Sequence, residues 1–221
     1  MTRDDDHAKV RRSYDTVASE YWERIGDELA YKPLDRALLA SLVERADGLG
    51  PVADLGCGPG HVAGWLAGRG ARSVGIDLSP AMVDIARREH PAAEFRVGDL
   101  LHLPAADGEF GAAVALYSVI HLEPSELRAA FEEVRRVLRP AGLLLVGFHL
   151  GAGTRHLAEW WGHEVDVDFR FLEIETVAGH LMDAGFTVEA RVERVNYPQE
   201  AQTRRGYLMA CRTAQPEGSH S

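Results

Sequence analysis

Short apolar segments and amphipathic helical segments alternate five times between Val52 and Phe148, and that alternation admits few folds. Val52-Ala53-Asp54-Leu55, Arg72 to Ile76, Glu94 to Val97, Gly111 to Tyr117 and Leu143 to Phe148 read as strands. Gly111 to Tyr117 is apolar almost throughout, the pattern of a strand covered on both faces. Among the intervening helices, one runs through Trp65 and Leu66. Another opens at Ser79-Pro80, serine as N-cap and proline at the first helical position, and continues through Val83 and Ala86. Leu127, Phe131, Val134 and Leu138 stripe one face of a helix that Pro140 is expected to terminate. Units of this kind build a parallel sheet with helices on both faces. The expected fold class is therefore α/β, Rossmann-like and doubly wound.

The flanks differ. A first helical region is expected from about Arg11 to Arg24, and a second after Pro33, where Leu34, Leu38 and Leu42 recur at helical spacing. After Gly151 the alternation lapses into an aromatic segment, then a helix from about Glu175 to Ala184 that Gly185 stops. Two apolar runs, Phe186 to Val195 and Tyr207 to Cys211, flank Asn196-Tyr197-Pro198 and predict a terminal antiparallel hairpin, giving a mostly parallel seven-stranded sheet. Residues 1–9 and 213–221 read as frayed ends.

Charge narrows the partners. With 34 acidic against 24 basic residues the net charge is −10, a surface that repels nucleic acid and anionic membrane. Arg204-Arg205 beside Arg191 and Arg194 is the one hint of a basic groove, read here as solvated strand positions. No run approaches a membrane span, and the polar start, Met1 to Arg12, does not resemble a signal peptide. Cys57 and Cys211 make no disulfide framework. The expectation is a cytoplasmic protein, monomer or homodimer, with a small-molecule partner and neither nucleic acid nor membrane.

The first strand runs directly into Asp54-Leu55-Gly56-Cys57-Gly58-Pro59-Gly60. Glycines let a ligand approach the backbone, and in an open parallel sheet the ligand crevice lies at the carboxyl ends of the strands. The spacing Gly-x-Gly-x-Gly departs from the Gly-x-Gly-x-x-Gly of a pyrophosphate-binding turn, and Asp54 would repel a diphosphate while attracting a cationic ligand. Asp77 follows the second strand, where a carboxylate can accept ribose hydroxyls, and Asp99 follows the third. An ordered trio of acids with the glycine loop suits a positively charged nucleoside.

These residues resemble the class I S-adenosylmethionine (SAM)-dependent methyltransferases of the small-molecule type, over roughly Tyr14 to Phe148. The resemblance implies SAM as cofactor and S-adenosylhomocysteine as its product. It places Asp54, Gly56, Gly58 and Gly60 at the methionine part, Asp77 at the ribose, and Asp99 and Leu100 at the adenine, and counts Cys57, Leu78, Met82 and Ser118 among the cofactor-binding residues. Ser118-Val119-Ile120-His121 matches the segment after the fourth strand, and Arg139-Pro140-Ala141-Gly142 the turn into the fifth. Tyr14-Asp15-Thr16-Val17-Ala18-Ser19-Glu20-Tyr21 resembles the helix that closes over the cofactor, making Tyr14 and Tyr21 cofactor-side; without the resemblance they read as packing aromatics. The expected organisation is one domain: residues 10–46 a helical cap, 50–150 the SAM-binding core, 151–175 a substrate-side insertion, and 176–212 the last helix and hairpin.

Two histidines, His121 and His149, end the fourth and fifth strands and are candidate bases; packing or capping is the alternative for each. Trp160, Trp161, Phe169 and Phe171 either wall an acceptor pocket or anchor the insertion, with Gly151, Gly153 and Gly162 letting it move. No His-x-x-x-His pair suggests a metal. The expected reaction is methyl transfer from SAM to oxygen or nitrogen of a small molecule, a tailoring step in secondary metabolism. The alternatives are an NAD(P)-dependent oxidoreductase and a SAM-binding protein without catalysis.

Overall fold

A computed structural model describes residues 3–213. The chain begins with helix α1 (Arg3–Ile25), a short 3-10 turn at Glu28–Tyr31, and α2 (Pro33–Arg45). Then come β1 (Val52–Leu55), α3 (His61–Ala67), β2 (Ser73–Asp77), α4 (Pro80–Glu89), β3 (Glu94–Val97), β4 (Phe110–Leu116), α5 (Leu127–Val137) and β5 (Leu138–Leu150). A hairpin of β6 (Thr154–Trp160) and β7 (His163–Arg170) precedes α6 (Ile174–Asp183), β8 (Phe186–Arg194) and β9 (Arg204–Arg212). The seven-stranded sheet has the order β3-β2-β1-β4-β5-β9-β8, with β9 antiparallel to both neighbours and the other pairs parallel. The order reverses at β1 and β4, which opens a crevice at their carboxyl ends.

Period-2 alternation divides the core between the faces of the sheet. On β4, Ala113 and Ala115 face α5 and α6, while Ala112 and Val114 face α2 and α3. Leu144, Val146 and Phe148 of β5, with Leu208 and Ala210 of β9, join the first layer; Leu143, Leu145, Tyr207 and Met209 join the second. Each fully buried Leu or Phe contributes about 1.5–3 kcal/mol.

Three expectations need correction. Residues 3–9 are the first turns of α1 rather than a frayed end, because side chains reaching back from β7 and the loop after β3 hold them: Lys9 pairs with Asp166 at 3.1 Å and His7 with Asp99 at 2.8 Å. The matching reading of residues 214–221 lies outside the described residues. Pro140 does not terminate α5, which ends at Val137; residues 139–142 bulge out of β5 opposite Gly111, between the pairs Phe110–Leu138 and Ala112–Leu143. Arg194 and Arg205 are buried rather than solvated, in a network described below.

Candidate functional site

At the carboxyl ends of β1, β2, β4 and β5 lies a cavity of about 630 Å³, closed from above by α1 and the β6–β7 hairpin. Its floor is the glycine loop. The Gly56 and Cys57 N–H groups donate to the Ile76 carbonyl at 2.7 and 3.1 Å, which folds the loop across β2. Gly56 has φ +72, and a Cβ there would stand 2.2 Å from the Ser118 Cβ, so nothing larger fits between β1 and β4. At Gly58, φ +52, a Cβ would project into the cavity, its nearest neighbour the Tyr21 ring at 4.0 Å. Gly60 does not line the cavity: its φ of +85 starts α3, and a Cβ there would strike Ala86 and Phe95.

The three acids are anchored differently. Asp54 is only 2% exposed, and its carboxylate accepts the Ala63 N–H in the first turn of α3 at 3.0 Å. Burial pushes its carboxyl up to about 7. Asp77 accepts the Gly58 N–H at 2.7 Å and the Ser79 N–H at 2.8 Å, one on each oxygen, and burial lifts it to about 6. Asp99 accepts the Leu101 N–H at 2.8 Å and a bond from His7 Nδ1 at 2.8 Å; those bonds outweigh burial and hold it below the usual carboxylate range. Leu78, Leu100, Cys57 and Ser118 complete this end, and the Ser118 hydroxyl is buried with no hydrogen-bond partner among the described residues. Met82 is not on the wall; it is fully buried beneath α1 with Ala18 and Ile85.

Helix α1 is docked by a residue to which sequence reasoning gave no role. Asp15 accepts the Ser79 hydroxyl at 2.5 Å and the Ala81 N–H at 3.2 Å, placing a carboxylate on the N-terminus of α4. The signal was there in Asp15 between Tyr14 and Thr16, but its partner lies 64 residues away. This contact sets Tyr14 and Tyr21 over the cavity, their rings edge to face at 5.9 Å.

Opposite them the insertion is a β-hairpin whose turn, Trp161-Gly162, has φ of 55 and 84, the paired positive values of a tight hairpin turn. The turn points both indoles back at α1: Trp160 meets Tyr14 at 5.5 Å and Tyr21 at 5.7 Å, and Trp161 meets Tyr21 at 6.0 Å. Phe169 touches Trp160 and His121, and Phe171 touches His149. All four aromatics line the cavity.

The two candidate bases differ in what is left free. His121 Nδ1 contacts the Asp168 carbonyl at 2.9 Å, and a carbonyl only accepts, so that nitrogen carries the proton. Its Nε2 is then the lone pair that accepts the Tyr14 hydroxyl at 2.7 Å, and burial holds the ring neutral at about 4. With both nitrogens engaged, His121 positions Tyr14 and offers no free nitrogen to an acceptor. His149 contacts the Thr203 hydroxyl through Nδ1 at 2.9 Å, and no intramolecular bond engages Nε2 among the described residues. Burial, then Arg205 and Lys32, keep this ring neutral too, at about 3.

Beneath His149 lies a buried ionic network that sequence reasoning missed. Arg194 pairs with Asp35 at 3.0 Å and Glu200 at 2.5 Å; Lys32 pairs with Glu28 at 2.7 Å and Glu200 at 3.4 Å. Glu28 also bonds His61 at 3.2 Å, and despite burial these partners hold it at about 2. The Tyr207 hydroxyl donates to Asp35 at 2.8 Å, so the Tyr117 hydroxyl, 2.8 Å away, donates to Tyr207. Tyr117 has φ +58, a strained value for an aromatic residue, and lines the cavity beside His149 at 5.2 Å. Among the described residues no group of three or more His, Cys, Asp or Glu is placed to hold a metal, and no helix is long and apolar enough to cross a membrane.

A family model described as a methyltransferase domain matches residues 52–142, the segment from β1 into the start of β5. The malonyl-[acyl-carrier protein] O-methyltransferase of Serratia marcescens is 30% identical over 131 residues, covering 57% of this chain and 51% of that one. A methyltransferase of Synechocystis is 34% identical over 143 residues, covering 62% and 66%. This chain thus spans about half the length of the curated relatives it matches. The solved 1,6-didemethyltoxoflavin-N1-methyltransferase of Burkholderia thailandensis, with bound 1,6-didemethyltoxoflavin and S-adenosylhomocysteine, covers 96% of this chain and 91% of its own, with TM-score 0.74. At 19% identity that likeness is one of fold.

Proposed function

We propose that this chain is a SAM-dependent methyltransferase that transfers the methyl group of SAM to oxygen or nitrogen of a small-molecule acceptor, a reading supported by the match of residues 52–142 to a methyltransferase domain. The observation that carries the reading is the cradle at the end of β1. At Gly58 an added Cβ would fill the space beside Tyr21, while Asp77 holds the loop and keeps further lone pairs toward the cavity. Asp54 and Asp77, lifted by burial to about 7 and 6, gain from a cation that restores their ionised forms.

In this reading the loop, Asp54 and Ser118 take the methionine part, Asp77 and Leu78 the ribose, and Asp99 and Leu100 the adenine. Tyr14 and Tyr21 cover them. When bound, SAM supplies an electrophilic methyl group on a sulfonium. The chain's own contribution is mainly to hold the acceptor in line, which can supply about 7–11 kcal/mol of barrier lowering. Trp160, Trp161, Phe169 and Phe171 wall the acceptor and exclude water, with residues 151–175 as the substrate-side insertion, and a tailoring step in secondary metabolism suits such a pocket. Incubation with methyl-labelled SAM and a metabolite extract, followed by mass analysis, tests the proposal. Labelled small molecules support it; SAM binding with no transfer to any extract would favour the non-catalytic alternative.

A further inference from the structure

Resting on the methyltransferase reading, we propose that His149 serves as a hydrogen-bond donor to an anionic acceptor oxygen, and that the acceptor is an organic acid ionised before it binds: a carboxylate or an acidic phenol or enol.

Thr203 fixes which nitrogen of His149 carries the proton. Arg205 lies directly across from His149 in the β5–β9 register, and its NH1 donates to both the Thr203 hydroxyl and the Thr203 carbonyl. A hydroxyl has one proton and accepts through its lone pairs. With Arg205 donating to it, the Thr203 oxygen has its proton available, and the one acceptor within reach among the described residues is His149 Nδ1 at 2.9 Å. That arrangement turns a ring lone pair, rather than an N–H, toward the guanidinium, which is also the lower-energy orientation beside a positive charge. The ring is neutral, so its single proton sits on Nε2, the nitrogen that no other group among the described residues engages. His149 therefore offers an N–H to the cavity. His121, with its Nε2 already holding Tyr14, offers no base either.

A second observation concerns Arg205 itself. It is 3% exposed, it lines the cavity, and among the described residues its hydrogen bonds go only to neutral oxygens of Ala201 and Thr203. Its nearest carboxylate among the described residues, Glu200, is 3.7 Å from Nε, is already bonded twice by Arg194, and leaves that Nε buried with no hydrogen-bond partner among those residues. The acceptor end thus holds a guanidinium whose charge is only partly balanced, beside a histidine N–H and the rings of Tyr117 and Phe171. An anionic oxygen on a flat or apolar body fits that set. No proton then has to move: the acceptor oxygen bonds to the methyl carbon as the sulfur–carbon bond breaks, the bonding pair stays on sulfur, and the opposite charges cancel.

The test is the tautomer of His149, read by long-range proton–nitrogen correlation on the labelled, ligand-free chain, with His149→Gln to assign the signal. Nε2 protonated and Nδ1 bare is the expected result; the reverse overturns the proposal. Thr203→Val should shift that tautomer without unfolding the chain, an effect a merely structural threonine would not have. In the labelled-extract experiment the methyl group should appear on oxygen, and a label on nitrogen or carbon overturns the acceptor class. Failure of the chain to bind SAM would instead sink the reading beneath it, and leave the tautomer measurement standing as an independent result.

Discussion

Replacing Asp77 by asparagine should separate ligand binding from stability. The Asp77 carboxylate accepts the Gly58 and Ser79 amides on separate oxygens, at 2.7 and 2.8 Å. Asparagine has one carbonyl oxygen, so one amide keeps its acceptor while the other faces an NH₂ group. A backbone N–H left unpaired costs about 1–3 kcal/mol, and each hydrogen bond lost to a ribose hydroxyl costs about 1 kcal/mol. The unpaired amide burdens the free protein and the complex alike, so SAM affinity should fall by the one or two ribose bonds lost, about 1–2 kcal/mol, on the order of 5- to 30-fold. Folding responds differently. Burial holds the Asp77 carboxyl at about 6 rather than 3.8, so above that pH its charge disfavours the folded state. Allowing for partial exposure, that amounts to about 2 kcal/mol at pH 7, which asparagine removes and which offsets the lost amide bond. Calorimetric titration with SAM and urea unfolding of the free protein measure the two quantities. Weaker binding with an unchanged or higher urea midpoint is the expected pair of results. Unchanged SAM affinity in a folded Asp77→Asn protein would refute the assignment of the ribose site.

Protonation of Asp54 and Asp77 also sets a pH dependence. Both carboxyls are raised in the folded chain, so the free protein gains stability from them as pH falls through about 7 and 6, toward their unfolded values. A cationic ligand favours their ionised forms, so SAM affinity should rise between pH 6 and 8; calorimetry giving the opposite slope would contradict the electrostatic reading. Arg194→Met leaves Asp35, 1% exposed, and Glu200 without their main cation, and should cost about 3–5 kcal/mol of stability in urea unfolding; a loss below about 1 kcal/mol would mean the network is open to water. His7→Ala should speed amide hydrogen exchange in the first turns of α1 and weaken SAM binding by about 0.5–1 kcal/mol. The bond to Asp99 raises the His7 pKa, so its contribution is full below the unfolded value and fades as pH rises through the folded one. The His7→Ala effect should accordingly be larger at pH 6 than at pH 8.5.

Local pattern decided what could be read from the chain in advance. The strands β1, β2, β4 and β5 declared themselves because each is an apolar run closed by glycine, proline or a cap, and the acids Asp54, Asp77 and Asp99 followed from their places after successive strands. The acids' roles within the free protein were not legible, since Asp54 serves the first turn of α3 and Asp99 is shared with His7, contacts made by folding. The same holds for the start of α1, whose polar residues show no helical stripe and are kept in place by Asp99 and Asp166. Arg194 and Arg205 alternate along their strands as solvated residues do, and only the loop carrying Glu200 and the helix carrying Asp35 bury them. The β6–β7 hairpin did leave a trace: Trp161-Gly162 is a turn pair between alternating residues, obscured by the aromatic content around it.

The central claim is that the cradle after β1 binds SAM. Calorimetric titration of the unaltered protein with SAM, with S-adenosylhomocysteine and with NADH tests it most directly. One SAM per chain, displaced by S-adenosylhomocysteine and indifferent to NADH, is the predicted result; NADH binding at that site, or no binding of SAM, would contradict it.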